Sequence, residues 1–325
     1  MRRSTKLVIA VSATAAFVGA ASYAAAKLIS DVALNREEPG IMKKMKNVMS
    51  GSNPEDTLSS KTKTELKNGA EFLLSRETET PTITARDGVL LNAHWVPHPN
   101  PKRVIIAMHG WRSSWTHDFC SIASFWYNMG CSVLYPDQRG QQGSGGDYMS
   151  FGMLERFDCL DWADWVNERC GTDIPVYLAG VSMGATSVLM ASELELPSNV
   201  RGVLADCGFT TPEAIWRHVA QSNLHLPYWV QRGLVDEMCR KKLNLASNSC
   251  STLEALKKAK VPVLFIHGSD DHFVPVEMTY KNYIACASPK KLLIVPGADH
   301  GMSYLVDKKA YQNALCGFWK AYDQV

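Results

Sequence analysis

Ser182 lies in LAGVSMGA (residues 178–185), between the apolar run IPVY and the helix-like stretch TSVLMASEL, with Gly180 and Gly184 two residues away on either side. A strand that turns sharply into a helix holds its apical residue in strained torsions, and a side chain two positions before or after it would strike the backbone. Glycine removes that collision. The turn also brings the serine oxygen near a helix amino terminus, where free N–H groups favour negative charge. A serine at such a junction can also be an N-cap and nothing more, so the preferred nucleophile reading needs partners. The hydroxyl requires a base to take its proton and an acid to orient that base. His300, in VPGADHGMS, follows the last apolar run and supplies an imidazole. Asp271, in HGSDDHFVP, is the preferred orienting carboxylate, although spacing alone leaves the adjacent Asp270 open.

These side chains are far apart in sequence, so the elements between them must bring them to one place. From about residue 81 short β-rich runs (RVIIAMHG, CSVLYPD, IPVYLAGVS, NVRGVLADC, VPVLFIHG, KKLLIVPG) alternate with longer helical stretches. Apolar runs with little alternation suit strands buried on both faces, and their repetition with helices predicts an α/β fold with a mostly parallel sheet covered on both sides. ITARDGVLLNAHWV carries an Asp-Gly turn signal and predicts an opening antiparallel pair. About 50 residues separate GVLADCG from VPVLFIHG, and this interval (about 210–258) reads as a short helical lid between strands 6 and 7, broken at Pro227. In such a sheet ligands sit beyond the carboxyl ends of the strands, where Ser182, Asp271 and His300 all fall.

The order Ser, Asp, His is the order of the α/β-hydrolases. Residues 81–325 resemble that superfamily throughout, in HGW (109–111), PDQRG (136–140), GVSMG (180–184), HGSDDHFVP (267–275) and ADHGMS (298–303). The chain is similar, more narrowly, to bacterial membrane-anchored or cell-surface α/β-hydrolases, some of them described as serine aminopeptidase-like. The resemblance implies the α/β-hydrolase fold, a Ser182–His300–Asp271 triad working through an acyl-enzyme, and oxyanion donors in the backbone N–H groups of Trp111 and Met183. It gives His109 a bracing role in its loop and has Arg139 and Gly140 order a neighbouring loop, where this sequence carries an extra Gln. Trp115, Trp216, Tyr228 and Trp229 are expected to bind substrate, with Trp111, Leu224 and Leu226 in the same loop and lid. An apolar or aromatic acyl ester is therefore the expected substrate, with peptide or amide cleavage as the alternative, and a catalytically inactive surface binding protein as a second class.

Asp206, at the end of GVLADC, is a substitute acid or a structural hydrogen-bond partner, and His267, His272, His218 and His225 read as structural or lid residues. No His and carboxylate cluster has metal-ligand spacing and no phosphate-binding glycine loop follows the first strand, so neither metal nor cofactor is expected. With 34 basic and 32 acidic residues and no like-charge block, nucleic-acid binding has no electrostatic support. The first 30 residues read as a signal anchor crossing the membrane over residues 7–27, with the catalytic domain outside the cytoplasm, or as a signal peptide cut near Ala26. Residues 31–80 read as a polar spacer in which TELKNGAEFLLSR forms a short amphipathic helix. Nine cysteines stand singly, and Cys120, Cys131, Cys159, Cys207 and Cys286 sit among apolar residues as small core groups.

Overall fold

The computed structural model describes residues 19–40, 59–223 and 227–323. Its centre is an eight-stranded sheet: β1 (Thr82–Thr84), β2 (Leu90–Val96), β3 (Arg103–Met108), β4 (Cys131–Pro136), β5 (Val176–Val181), β6 (Val200–Asp206), β7 (Val263–Gly268) and β8 (Lys290–Val295), in the order β1-β2-β4-β3-β5-β6-β7-β8. The first two strands form the antiparallel pair expected from Asp87-Gly88, with Gly88 at φ 87°, and β2 also meets β4 antiparallel. All other neighbours are parallel.

Each of β3, β4 and β7 is buried along its whole length, which is why its sequence shows no alternation. Helices Glu155–Cys170 and Met183–Ala191 cover one face through Trp162, Val166, Val188 and Leu189. On the other face, helices Cys120–Asn128 and Lys308–Tyr322 bring Trp126, Phe318 and Trp319. The helix Ser60–Leu74 packs outside Cys120–Asn128 so closely that a Cβ at Gly69 would overlap the Cys120 carbonyl.

Between β6 and β7 the chain forms the helix Pro212–His218, a π-helical turn Val219–Asn223, the helix Tyr228–Leu243 with Pro227 as its N-cap, and the helix Thr252–Lys258. The lid's apolar side meets Phe151, Met183 and Phe209 in a third cluster above the carboxyl edge of the sheet. A helix over residues 19–34 joins that cluster through Ala26, Ile29, Ala33 and Leu34. Its first buried residue is Ala26, and it runs past residue 30, so residues 31–34 are docked on the domain where composition suggested a spacer. Among the described residues no helix is long and apolar enough to cross a membrane. Residues 1–18, which hold most of the expected crossing, and 41–58, within the expected spacer, lie outside the described residues.

Candidate active site

Ser182 is the last residue before the helix Met183–Ala191 and sits at φ 55°, ψ −116°, a left-handed conformation that costs a non-glycine residue about 1–3 kcal/mol. The turn is closed by small residues on both sides. A Cβ at Gly180 would overlap the Gly184 carbonyl, and one at Gly184 would overlap the Met108 carbonyl at the end of β3. The Ser182 amide donates to the Asp206 carbonyl at 2.9 Å, fixing the turn to β6. Although Ser182 occupies the N-cap position, its side chain caps nothing. Its Oγ lies instead 2.9 Å from His300 Nε2.

His300 stands on the loop after β8, with Nδ1 2.7 Å from Asp271 Oδ2. A carboxylate only accepts, so Nδ1 carries the proton and Nε2 is left free to accept from the serine. Asp271, on the loop after β7, is buried; its Oδ1 accepts from the amides of Phe273 (2.9 Å) and Val274 (2.7 Å). Burial by itself would raise its pKa, but hydrogen bonds from His267 and His300, the His300 charge and the Val274 amide hold it well below the usual carboxylate range. The Phe273 ring lies against the His300 imidazole at 5.1 Å between centroids. Asp270 turns outward and accepts from Ser269 Oγ at 2.6 Å. Asp206 is buried and accepts from Ser303 Oγ at 3.1 Å; burial raises its carboxyl above the ordinary value.

The other sequence-selected residues divide. His109 is fully buried, accepts from the Gln138 amide at 3.1 Å through Nε2, and has its pKa lowered by burial, which fits bracing and not proton transfer. Arg139 ties Asp158 (2.5 Å) and Asp87 (2.6 Å) together, and a Cβ at Gly140 (φ 68°) would crowd the Tyr148 carbonyl. Of the amides beyond β3, that of Gly110 donates to Asp118 Oδ2 (2.6 Å) and that of Arg112 to Gln141 Oε1 (2.5 Å). The Trp111 amide between them is not taken by either neighbour's partner. Met183 opens its helix, where no carbonyl a turn earlier is in place for its N–H.

Trp216 (5% exposed) meets Phe151 edge-on at 5.1 Å, and it and buried Tyr228 belong to the cluster that includes Met183. Two expected substrate residues lie outside that cluster. Trp115 stacks on His94 at 4.6 Å and packs in the core on the opposite face of the sheet. Trp229, at the exposed start of its lid helix, is 76% exposed. Leu224, His225 and Leu226 lie outside the described residues. His218 lies 3.4 Å from Ser222 Oγ and exposed His272 3.4 Å from Asp299, both away from the serine's hydrogen bonds.

Sequence reasoning missed one contact at the acid. His267, expected to be only structural, contacts the same Asp271 oxygen as His300; its place four residues earlier at the end of β7 was the available signal. Cys207 is fully buried, as expected of a small core group, and its Sγ lies with ligating atoms of Asp271 and His300 within 4.8 Å of one another. A metal needs a thiolate, whereas burial holds the Cys207 thiol well above its ordinary pKa, and the other two groups are already bonded to each other, so the three fit packing around the acid better than a ligand set.

This sheet order, with the serine on a strand-to-helix turn and the histidine and aspartate on later loops, defines an α/β-hydrolase. The chain belongs to the prolyl oligopeptidase family, whose model matches residues 117–324. It is 49% identical over 258 residues to the bifunctional esterase/perhydrolase DCH of Acinetobacter calcoaceticus, covering 68% of this chain and 92% of that one. It is 27% identical over 225 residues to the uncharacterized protein YqkD of Bacillus subtilis, covering 69% and 73%. Among solved structures, the Pyrococcus furiosus esterase Pf2001 superposes with a TM-score of 0.62 at 23% identity, over 78% of this chain and 95% of that one. These relatives make the chain a hydrolase of the α/β class.

Proposed function

We propose that the chain is a serine hydrolase that cleaves carboxylic esters with apolar or aromatic acyl groups through an acyl-enzyme. The observation that carries this reading is the 2.9 Å approach of His300 Nε2 to Ser182 Oγ, with the serine's side chain withdrawn from capping. Ser182 Oγ attacks the ester carbonyl carbon while its proton passes to His300 Nε2, and the carbonyl electron pair moves to oxygen. The amides of Trp111 and Met183 are the donors assigned to that oxyanion. Its collapse expels the alcohol, which takes the proton from His300. A water molecule then repeats the sequence, giving up its proton to His300, and the acid leaves as Ser182 is restored. Asp271 holds the imidazole in the required tautomer throughout.

An apolar acyl group is favoured because the cluster beside Met183 is built from Phe151, Phe209, Trp216 and Tyr228. The Acinetobacter relative's esterase name supports an ester over an amide. Of the apolar run 7–27, Ala26 is buried against the lid cluster, so membrane attachment is assigned to the residues ahead of it, with the domain outside the cytoplasm, the alternative being secretion after cleavage near Ala26. Fractionation of cells, with sequencing of the mature amino terminus, separates these two.

The test is a panel of short p-nitrophenyl esters and peptide amides with fluorophosphonate labelling. Ester cleavage and labelling are expected, both abolished in Ser182→Ala, with turnover lower by roughly 10⁶ if the three groups act as a unit. Labelling of the alanine variant to the full extent would overturn the assignment, and faster amide than ester turnover would move the substrate to peptides.

A further inference from the structure

The helix over residues 19–34 ends against the loop that follows β3. The last carbonyls of a helix lack partners within it, and here the loop supplies them. The Arg112 guanidinium donates to the carbonyls of Val32 (3.1 Å), Asn35 (2.6 Å) and Arg36 (3.1 Å). The Trp111 indole N–H donates to the Ala33 carbonyl at 3.0 Å. Arg36 reaches back to the loop after β4, donating to the carbonyls of Gln142 (2.7 Å) and Ser144. Lys242 of the lid binds Asp31 at 2.7 Å and Asn35 Oδ1 at 2.6 Å. One short segment is thus bonded to the loop after β3, the loop after β4 and the lid.

Arg112 stands at φ 52°, a conformation that persists in a non-glycine residue only where its surroundings over-determine it. Its side chain is held by the segment and its amide by Gln141, and it directly follows Trp111, whose amide is the assigned oxyanion donor. We propose that residues 26–36 are a positioning element of the active site, which through Arg112 and the Trp111 indole hold the Trp111 amide toward Ser182 and through Ala26, Ile29 and Leu34 close the wall of the acyl-binding cluster. This rests on the serine hydrolase reading. It adds that the amino-terminal segment is part of the catalytic apparatus as well as whatever attachment it provides.

The test uses the full chain with Arg112→Gln, Trp111→Phe and Leu34→Asp, each assayed on a short ester after titrating active sites with a fluorophosphonate. Trp111→Phe keeps the backbone donor and an aromatic ring but removes the indole N–H together with part of the ring system, so it is read beside Arg112→Gln, which leaves Trp111 intact. Turnover per titrated site is expected to fall at least tenfold in Arg112→Gln and severalfold in Trp111→Phe, with KM for the short ester within about twofold; loss of one oxyanion donor outright sets a ceiling of about 10²–10³. Arg112→Gln and Leu34→Asp should be strongly non-additive, because both release the same device. A purely structural role would lower the melting temperature and the fraction of titratable sites while leaving turnover per site unchanged, and that result in both Arg112→Gln and Trp111→Phe overturns the proposal. Retained activity in Ser182→Ala would instead overturn the reading on which it rests, so the two failures are distinguishable.

Discussion

His267 and His300 converge on a single oxygen: Asp271 Oδ2 lies 3.0 Å from His267 Nε2 and 2.7 Å from His300 Nδ1. His267 Nε2 also lies 2.9 Å from the Val274 carbonyl, and a nitrogen facing two acceptors must carry a proton. Its Nδ1 then accepts from Thr279 Oγ1 at 2.6 Å. The chain from Thr279 to Ser182 therefore fixes each proton's direction. His267→Phe removes one donor from a buried carboxylate and should cost about 1–3 kcal/mol of stability. It should also lower turnover by roughly tenfold while Ser182 still reacts with a fluorophosphonate. Wild-type turnover in a stably folded variant would show that His300 needs no such support.

Asp271→Asn should cut turnover by about 10⁴, because an amide in that place can stabilise the wrong imidazole tautomer. Its effect on stability carries a sign. Burial opposes the charge, but the hydrogen bonds from His267 and His300 depress the folded value below that of the unfolded chain. Stability from this group is therefore fully present above the unfolded carboxyl value of about 3.9 and is lost as pH falls through the lower folded value. The melting-temperature gap between wild type and Asp271→Asn should be widest near neutrality and shrink below about pH 4. A gap that stays constant from neutrality into acid would contradict this.

Gly184→Ala places a methyl group on the Met108 carbonyl, a backbone atom that cannot swing aside. A loss toward the upper end of the roughly 1–3 kcal/mol usual for overpacking is expected in chemical denaturation, with turnover falling as the serine turn shifts.

Trp216 and Trp229 should behave oppositely. Buried Trp216→Ala empties space against Phe151 and should cost about 3–5 kcal/mol, with weaker binding of long acyl esters. Exposed Trp229→Ala should stay within about 0.5 kcal/mol of wild type and leave ester kinetics unchanged. Equal effects of the two on KM would restore Trp229 to the pocket wall.

The sheet was legible because β3, β4 and β7 are buried on both faces and leave uninterrupted apolar runs, and because Asp87-Gly88 marks the first hairpin. Ser182 was legible through Gly180 and Gly184, whose missing side chains have a steric cause visible in the sequence. The directions of Trp115 and Trp229 were illegible because an aromatic residue near a loop or lid carries no sign of which way it faces. Trp115 turns to His94 across the sheet, and Trp229 falls on the outer side of its helix. The docking of residues 26–36 was illegible for a related reason. It depends on carbonyls of Val32, Ala33 and Asn35, and backbone acceptors are the same in every sequence.

All nine cysteines are unpaired, six are buried, and Cys170, Cys250 and Cys316 are only partly shielded. Burial also raises the thiols of Cys120 and Cys131 to about 11 and that of Cys239 to about 12, so near neutrality they are scarcely ionised and alkylate slowly. The protein thus carries an internal clock for its own opening: the order in which these sulfurs become modified under mild denaturant would chart which parts of the interior loosen first.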